Sequence, residues 1–69
     1  MNRHEMGVVR WVRIIEAEFL ETPGLNLSKL QMQRLWGLEA FICDALVDAL
    51  VAARVLRLTE IGTYVVHGG

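Results

Sequence analysis

The segment Ser28 to Gly37 constrains this chain most, because it is a short helix carrying its own start and stop. Ser28 suits an N-cap, and Gln31 three residues later completes a capping box, each side chain satisfying the other residue's backbone N–H. Leu27 and Met32 occupy the hydrophobic-staple positions on either side of that cap. Gly37 interrupts the helix after Leu35 and Trp36, since glycine takes left-handed backbone readily and weakens a helix interior.

The flanking segments follow from periodicity and turn chemistry. At about 100° per residue, Val8, Trp11, Val12, Ile15 and Phe19 share one arc, with Arg10, Arg13 and Glu21 largely opposite. This predicts an amphipathic first helix over Val8 to Glu21 with one buried face. Thr22-Pro23-Gly24-Leu25 ends it as a turn, proline presetting the second position and glycine accepting the third. Leu25-Asn26-Leu27 alternates apolar and polar, as a very short strand does. A third helix is predicted from Glu39 to Ala53, with Ile42, Leu46, Ala49, Leu50 and Ala53 as its inner face. Phe41, Asp44, Val47, Asp48 and Val51 form its outer face. A helix apolar on nearly every side is normally covered on most of them. From Val55 the period shifts toward two, so Leu56–Thr59 and Thr63–Val66 read as hairpin strands around Glu60-Ile61-Gly62. Residues 1–5 and 67–69 are expected to fray.

Sixty-nine residues make one domain, 1–69. A domain this small buries only about 60% of its unfolded surface, so its core gives thin stability. Hydrophobic residues make up 54% and mean hydropathy is +0.36, so apolar side chains must remain outside, where patches mark contacts with partners. Net charge is −1, which leaves little of the phosphate-neutralising attraction behind nucleic-acid binding unless cations cluster. Arg3, Arg10 and Arg13 lie near the N-terminus and Arg54 and Arg57 near the hairpin, without forming a basic run. The lone Cys43 excludes an intramolecular disulfide framework and a CxxC metal knuckle. It fits a reducing cytoplasm, the expected compartment. No stretch approaches the roughly eighteen apolar residues of a membrane span, so no membrane partner is expected.

Helix, short strand, helix, turn, helix, hairpin is the order of a winged helix. The stretch LSKLQMQRLWGLEAFICDALVDALVAARVLRLTEIGTY, Leu27 to Tyr64, resembles small bacterial winged helix-turn-helix proteins. Gly37 matches their turn glycine, and Trp36, Leu38, Cys43 and Leu46 match the apolar positions locking the two helices together. Leu56 and Tyr64 match inward residues of the wing. Gln33 departs from the pattern, standing where such units usually place a small residue. The resemblance implies a mainly α fold of three helices plus a β-hairpin wing, and DNA recognition by the third helix. A plain three-helix bundle with a hairpin is the structural alternative.

The chemistry of that third helix opposes the implied role. Base readers are normally Arg, Lys, Asn or Gln, whereas the corresponding positions hold Glu39, Ala40, Phe41, Asp44, Val47 and Asp48. A carboxylate brought to about 4 Å from a phosphate costs about 1 kcal/mol in bulk water and more where water is excluded. Arg34 and Arg57 can touch phosphates only at the margins. Asp44 and Asp48 share a face at i,i+4, but no histidine accompanies them, because His4 and His67 lie near the chain ends. They read as a solvated acidic stripe, whose mutual repulsion could reflect a basic partner. Cys43 reads as a small buried hydrophobe, and Trp11 and Trp36 as core anchors. Phosphate cradles, nucleophile elbows and metal-ligand clusters are missing from the sequence, so neither catalysis nor a cofactor is expected.

Two functions follow. The first is a non-catalytic module that self-associates or docks on a protein through Phe41, Val47 and Val51, with Asp44 and Asp48 at the rim; Ile14, off the inner arc of helix 1, offers a second surface. The second is a small DNA-binding transcriptional regulator, in which a dimer aligns Arg3, Arg10, Arg13, Arg54 and Arg57.

Overall fold

A computed structural model describes the backbone of residues 3–68 and the side chains from Gly7 to Gly68. The elements run α1 (Arg3–Glu21), α2 (Lys29–Trp36), α3 (Ala40–Ala52), β1 (Leu56–Leu58) and β2 (Tyr64–Val66). Three helices and a small antiparallel hairpin are the expected mainly helical, winged-helix layout. Residues 1, 2 and 69 lie outside the described backbone. Helix α1 starts well ahead of Val8, its backbone taking in residues 3–5.

Local chemistry sets the boundaries. Thr22-Pro23-Gly24 turns the chain after α1, with Leu25 N donating to Thr22 O at 3.0 Å. The predicted strand at Leu25–Leu27 is reduced to a single antiparallel bridge, Leu27 to Tyr64. That bridge is complete: Leu27 N donates to Tyr64 O at 3.2 Å and Tyr64 N to Leu27 O at 2.7 Å. The capping box forms in full, Gln31 N donating to Ser28 Oγ at 3.1 Å and Ser28 N to Gln31 Oε1 at 2.8 Å. Gly37 stops α2 with φ of 63°, and Leu38 N folds back onto Gln33 O at 3.0 Å.

The far end of α3 closes by the same device without a glycine. Arg54 takes φ of 60°, its N–H donates to Val51 O at 3.0 Å, and Val55 N donates to Leu50 O at 2.9 Å. These are the paired bonds of a Schellman ending, with Val55 turned onto the core.

In the hairpin, Leu56 pairs with Val66, Arg57 with Val65 and Leu58 with Tyr64. A hydroxyl–hydroxyl hydrogen bond of 2.7 Å joins Thr59 to Thr63 across its mouth. His67, expected in a frayed tail, extends the ladder instead by donating its N–H to Val55 O at 2.9 Å. With Leu27 on its other edge, β2 is the middle of three extended segments.

Ile15, Phe19, Met32, Cys43, Leu46, Val47, Leu50, Leu56 and Tyr64 form the core, with no buried polar side chain among the described residues. Trp11, Trp36, Leu38 and Ile42 pack against it from the rim. Helix α2 packs on α3 although Gln33 is half-buried where a smaller residue was expected.

Two placements differ from the periodicity. Val8 is 43% exposed rather than buried, because α1 runs past the end of the core: the first fully buried residue among its described side chains is Ile15. Helix α3 faces inward through Cys43, Leu46, Val47 and Leu50, leaving Ala49 and Ala53 exposed. Its inner face is rotated by roughly 65° from the predicted one, taking about 100° per residue. Ile42 of the predicted arc stays half-buried against the core, so the difference lies in the larger Val47 being buried in place of Ala49 and Ala53.

Candidate interaction surface

Five residues of α3 were singled out by sequence, and the structure divides them among three environments. Val47 is fully buried, which removes it from any surface; its position at i+4 from Cys43 and i−3 from Leu50 makes it part of the core. Phe41 is 67% exposed at the first turn of α3, and Val51 is 37% exposed near its last turn. Asp44 and Asp48 lie between them on the outer face, as expected from their spacing.

The acid pair has a partner within the chain. Lys29 Nζ stands 2.9 Å from Asp44 Oδ1 and 3.9 Å from Asp48 Oδ1. The same ammonium lies 6.0 Å from the centre of the Tyr64 ring, at the outer limit for a cation–π attraction. Its pKa is raised above 10.5, chiefly by the hydrogen bond to Asp44, against a smaller opposing effect of burial. Lys29 carried no role in the sequence reading. A cation in the first turn of a helix opposes the macrodipole, and that unfavourable position was the available signal for an acidic partner elsewhere.

Beneath this cluster, Cys43 is fully buried and its Sγ–H donates to Lys29 O at 3.6 Å. Burial pushes the thiol above its ordinary value, and the neighbouring Asp44 charge adds to the effect. A thiol held protonated is a poor nucleophile. Among the described residues, no three His, Cys, Asp or Glu side chains are grouped to hold a metal ion.

The arginines are dispersed. Arg10 and Arg13 lie exposed on α1, Arg34 on the last turn of α2, Arg54 in the turn after α3 and Arg57 on β1. The side chain of Arg3 lies outside the described residues. None of these arginines forms an ion pair with another described residue.

One concavity was not anticipated. A groove of about 530 Å³ runs between the projecting half of α1 and the junction of α2 with α3. Gly7, Val8 and Trp11 form one wall; Gly37, Leu38, Glu39, Phe41 and Ile42 form the other. Apart from Glu39, its lining is apolar. The groove brings Phe41 together with the half of α1 that the core leaves uncovered, a long-range pairing that no local pattern encodes.

No protein-family model, curated protein or solved structure matches this chain. Among the described residues, no helix is long and apolar enough to cross a membrane.

Proposed function

We propose that this chain is a non-catalytic winged-helix interaction module, related to small bacterial winged helix-turn-helix proteins, that binds protein surfaces rather than nucleic acid. The observation that carries this reading is the outer face of α3. Its exposed side chains are Phe41, Asp44, Asp48, Val51 and alanines, with no Arg, Lys, Asn or Gln to read a base edge. Lys29, a cation beside it, is engaged by Asp44. Apolar side chains also line the groove beside Phe41, as they do the centre of a docking site.

DNA-binding regulation is the second reading, favoured by the winged-helix layout and by arginines on α1 and the wing that form no ion pair among the described residues. Sedimentation of the chain with a generic labelled duplex, at low and moderate salt, separates the two. The proposal expects no complex at either salt. A complex that forms at low salt and dissolves as salt rises would establish phosphate binding and overturn it.

A further inference from the structure

We infer that the outward face of α1 pairs antiparallel with the same face of a second copy of the chain, about a two-fold axis near the middle of the helix. Arg10 of each copy then meets Glu21 of the other, and Arg13 meets Glu16. This rests on the interaction-module reading and gives it a partner, through a face other than that of α3.

Charge on α1 is sorted by sign along the axis. Among its described side chains, Arg10 and Arg13 come first, and Glu16, Glu18 and Glu21 follow. That order is unfavourable for a helix alone. Arg10 repels Arg13 and Glu18 repels Glu21, each pair three residues apart. Glu18 and Glu21 also occupy the last turn without a base, where the macrodipole favours cations. None of the five charges is ion-paired among the described residues, not even Arg13 with Glu16 one turn on. A reversed copy of the helix lays carboxylates beside both arginines.

The placement of these charges around the helix fits that copy. At about 100° per residue, Arg10 and Ala17 lie opposite the buried Ile15 and Phe19, on the side of α1 turned from the core. Glu21 falls on one edge of this face, and Arg13 and Glu16 fall on the other. In an antiparallel two-fold pair, each edge meets the same edge of the partner. With the axis level with Ile15, Arg10 comes opposite Glu21 on the first edge. Arg13 comes opposite Glu16 on the second, where Val9 and Leu20, 54% and 59% exposed, also cover one another. Ala17, near the crossing, is small enough to let the helices approach.

The sign pattern identifies the partner as an identical copy. Parallel copies would set like against like, and a foreign surface of one sign would match only half of the face. A face that is basic at one end and acidic at the other is complementary to itself when reversed, as an isologous interface requires. One helix face offers less than the roughly 800 Å² that each partner contributes to a standard interface. Exposed ion pairs are individually weak and screened by salt, so the dimer is weak and salt-sensitive.

The test is the mass of the full chain by sedimentation equilibrium, at low and high salt and up to about 1 mM, where weak dimers populate. The wild type is expected to dimerise at low salt and to dissociate as salt rises. Arg10→Glu and Arg13→Glu should each weaken the dimer about tenfold, because symmetry counts every reversed pair twice. Adding Glu21→Arg to the first and Glu16→Arg to the second should restore it, with circular dichroism unchanged throughout. A wild type that stays monomeric at low salt overturns the inference. So does a dimer indifferent to both arginine reversals, or double reversals that fail to recover. A monomer that also ignores duplex DNA leaves the interaction-module reading standing; a monomer that binds duplex in a salt-dependent way overturns both.

Discussion

Lys29 Nζ lies 2.9 Å from Asp44 Oδ1 and thereby ties the first turn of α2 to the middle of α3. It also answers a problem internal to α3, where Asp44 and Asp48 repel each other one turn apart by a few tenths of a kcal/mol. With Asp48 at 3.9 Å, a single ammonium serves both carboxylates. Both partners remain partly in water, so the link is worth about 0.5–1 kcal/mol at most. Lys29→Met should lower the unfolding free energy by that amount, read as a lower urea midpoint at unchanged slope. In an Asp44→Asn background the same substitution should cost distinctly less, the coupling a double-mutant cycle measures.

Arg54 holds a left-handed backbone, φ 60°, at the closure of α3. For a residue with a Cβ this conformation costs about 1–2 kcal/mol, partly offset in a glycine variant by the greater freedom of its unfolded chain. The Arg54 side chain is exposed and makes no ion pair among the described residues. Arg54→Gly should therefore stabilise the fold by about 0.5–1 kcal/mol, read as a rise in the thermal midpoint. A lower midpoint would mean that the arginine makes a contribution beyond backbone geometry.

The ends of α2 were legible because they depend on local chemistry: Ser28 and Gln31 cap one another, and Gly37 accepts the stop without help from distant residues. The phase of α3 was not legible. Cys43, Leu46, Val47 and Leu50 compete with Ile42, Leu46, Ala49, Leu50 and Ala53 as the buried stripe, and apolar periodicity scarcely separates them. Tertiary volume decides between the two. Of the candidate site, Phe41 and the acid pair could be read from exposed-face spacing, but which acids engage Lys29, and the α1 wall of the groove, could not. Those depend on how α2 and α1 cross α3, which is absent from any one helix's pattern.

The thiol of Cys43 makes the protein sensitive to alkali. Its pKa is raised above 9.0 by burial, so the unfolded chain loses this proton first. Stability from this group is therefore complete below pH 9.0 and declines as pH rises from there toward the folded value. Lys29 acts with the same sign at higher pH, since its folded pKa is raised above 10.5. In urea titrations at successive pH values, Cys43→Ala should lack the decline that begins near 9.0 but keep the later one. Lys29→Met should show the converse. Parallel curves for wild type and Cys43→Ala would remove the thiol as the cause.

Val47 and Phe41 lie on the same helix but should respond in opposite ways to a new carboxylate. Val47 is fully buried, so Val47→Glu places an unpaired charge among apolar side chains, or forces it to take up a proton. The cost is several kcal/mol, comparable with the whole stability of a domain this small. Val47→Glu should be unfolded at room temperature, with its helical circular dichroism largely lost. Phe41 is 67% exposed, so Phe41→Glu should keep the wild-type spectrum and a thermal midpoint no lower than that of the wild-type monomer. A folded Val47→Glu would show that α3 can turn its predicted outer face to solvent.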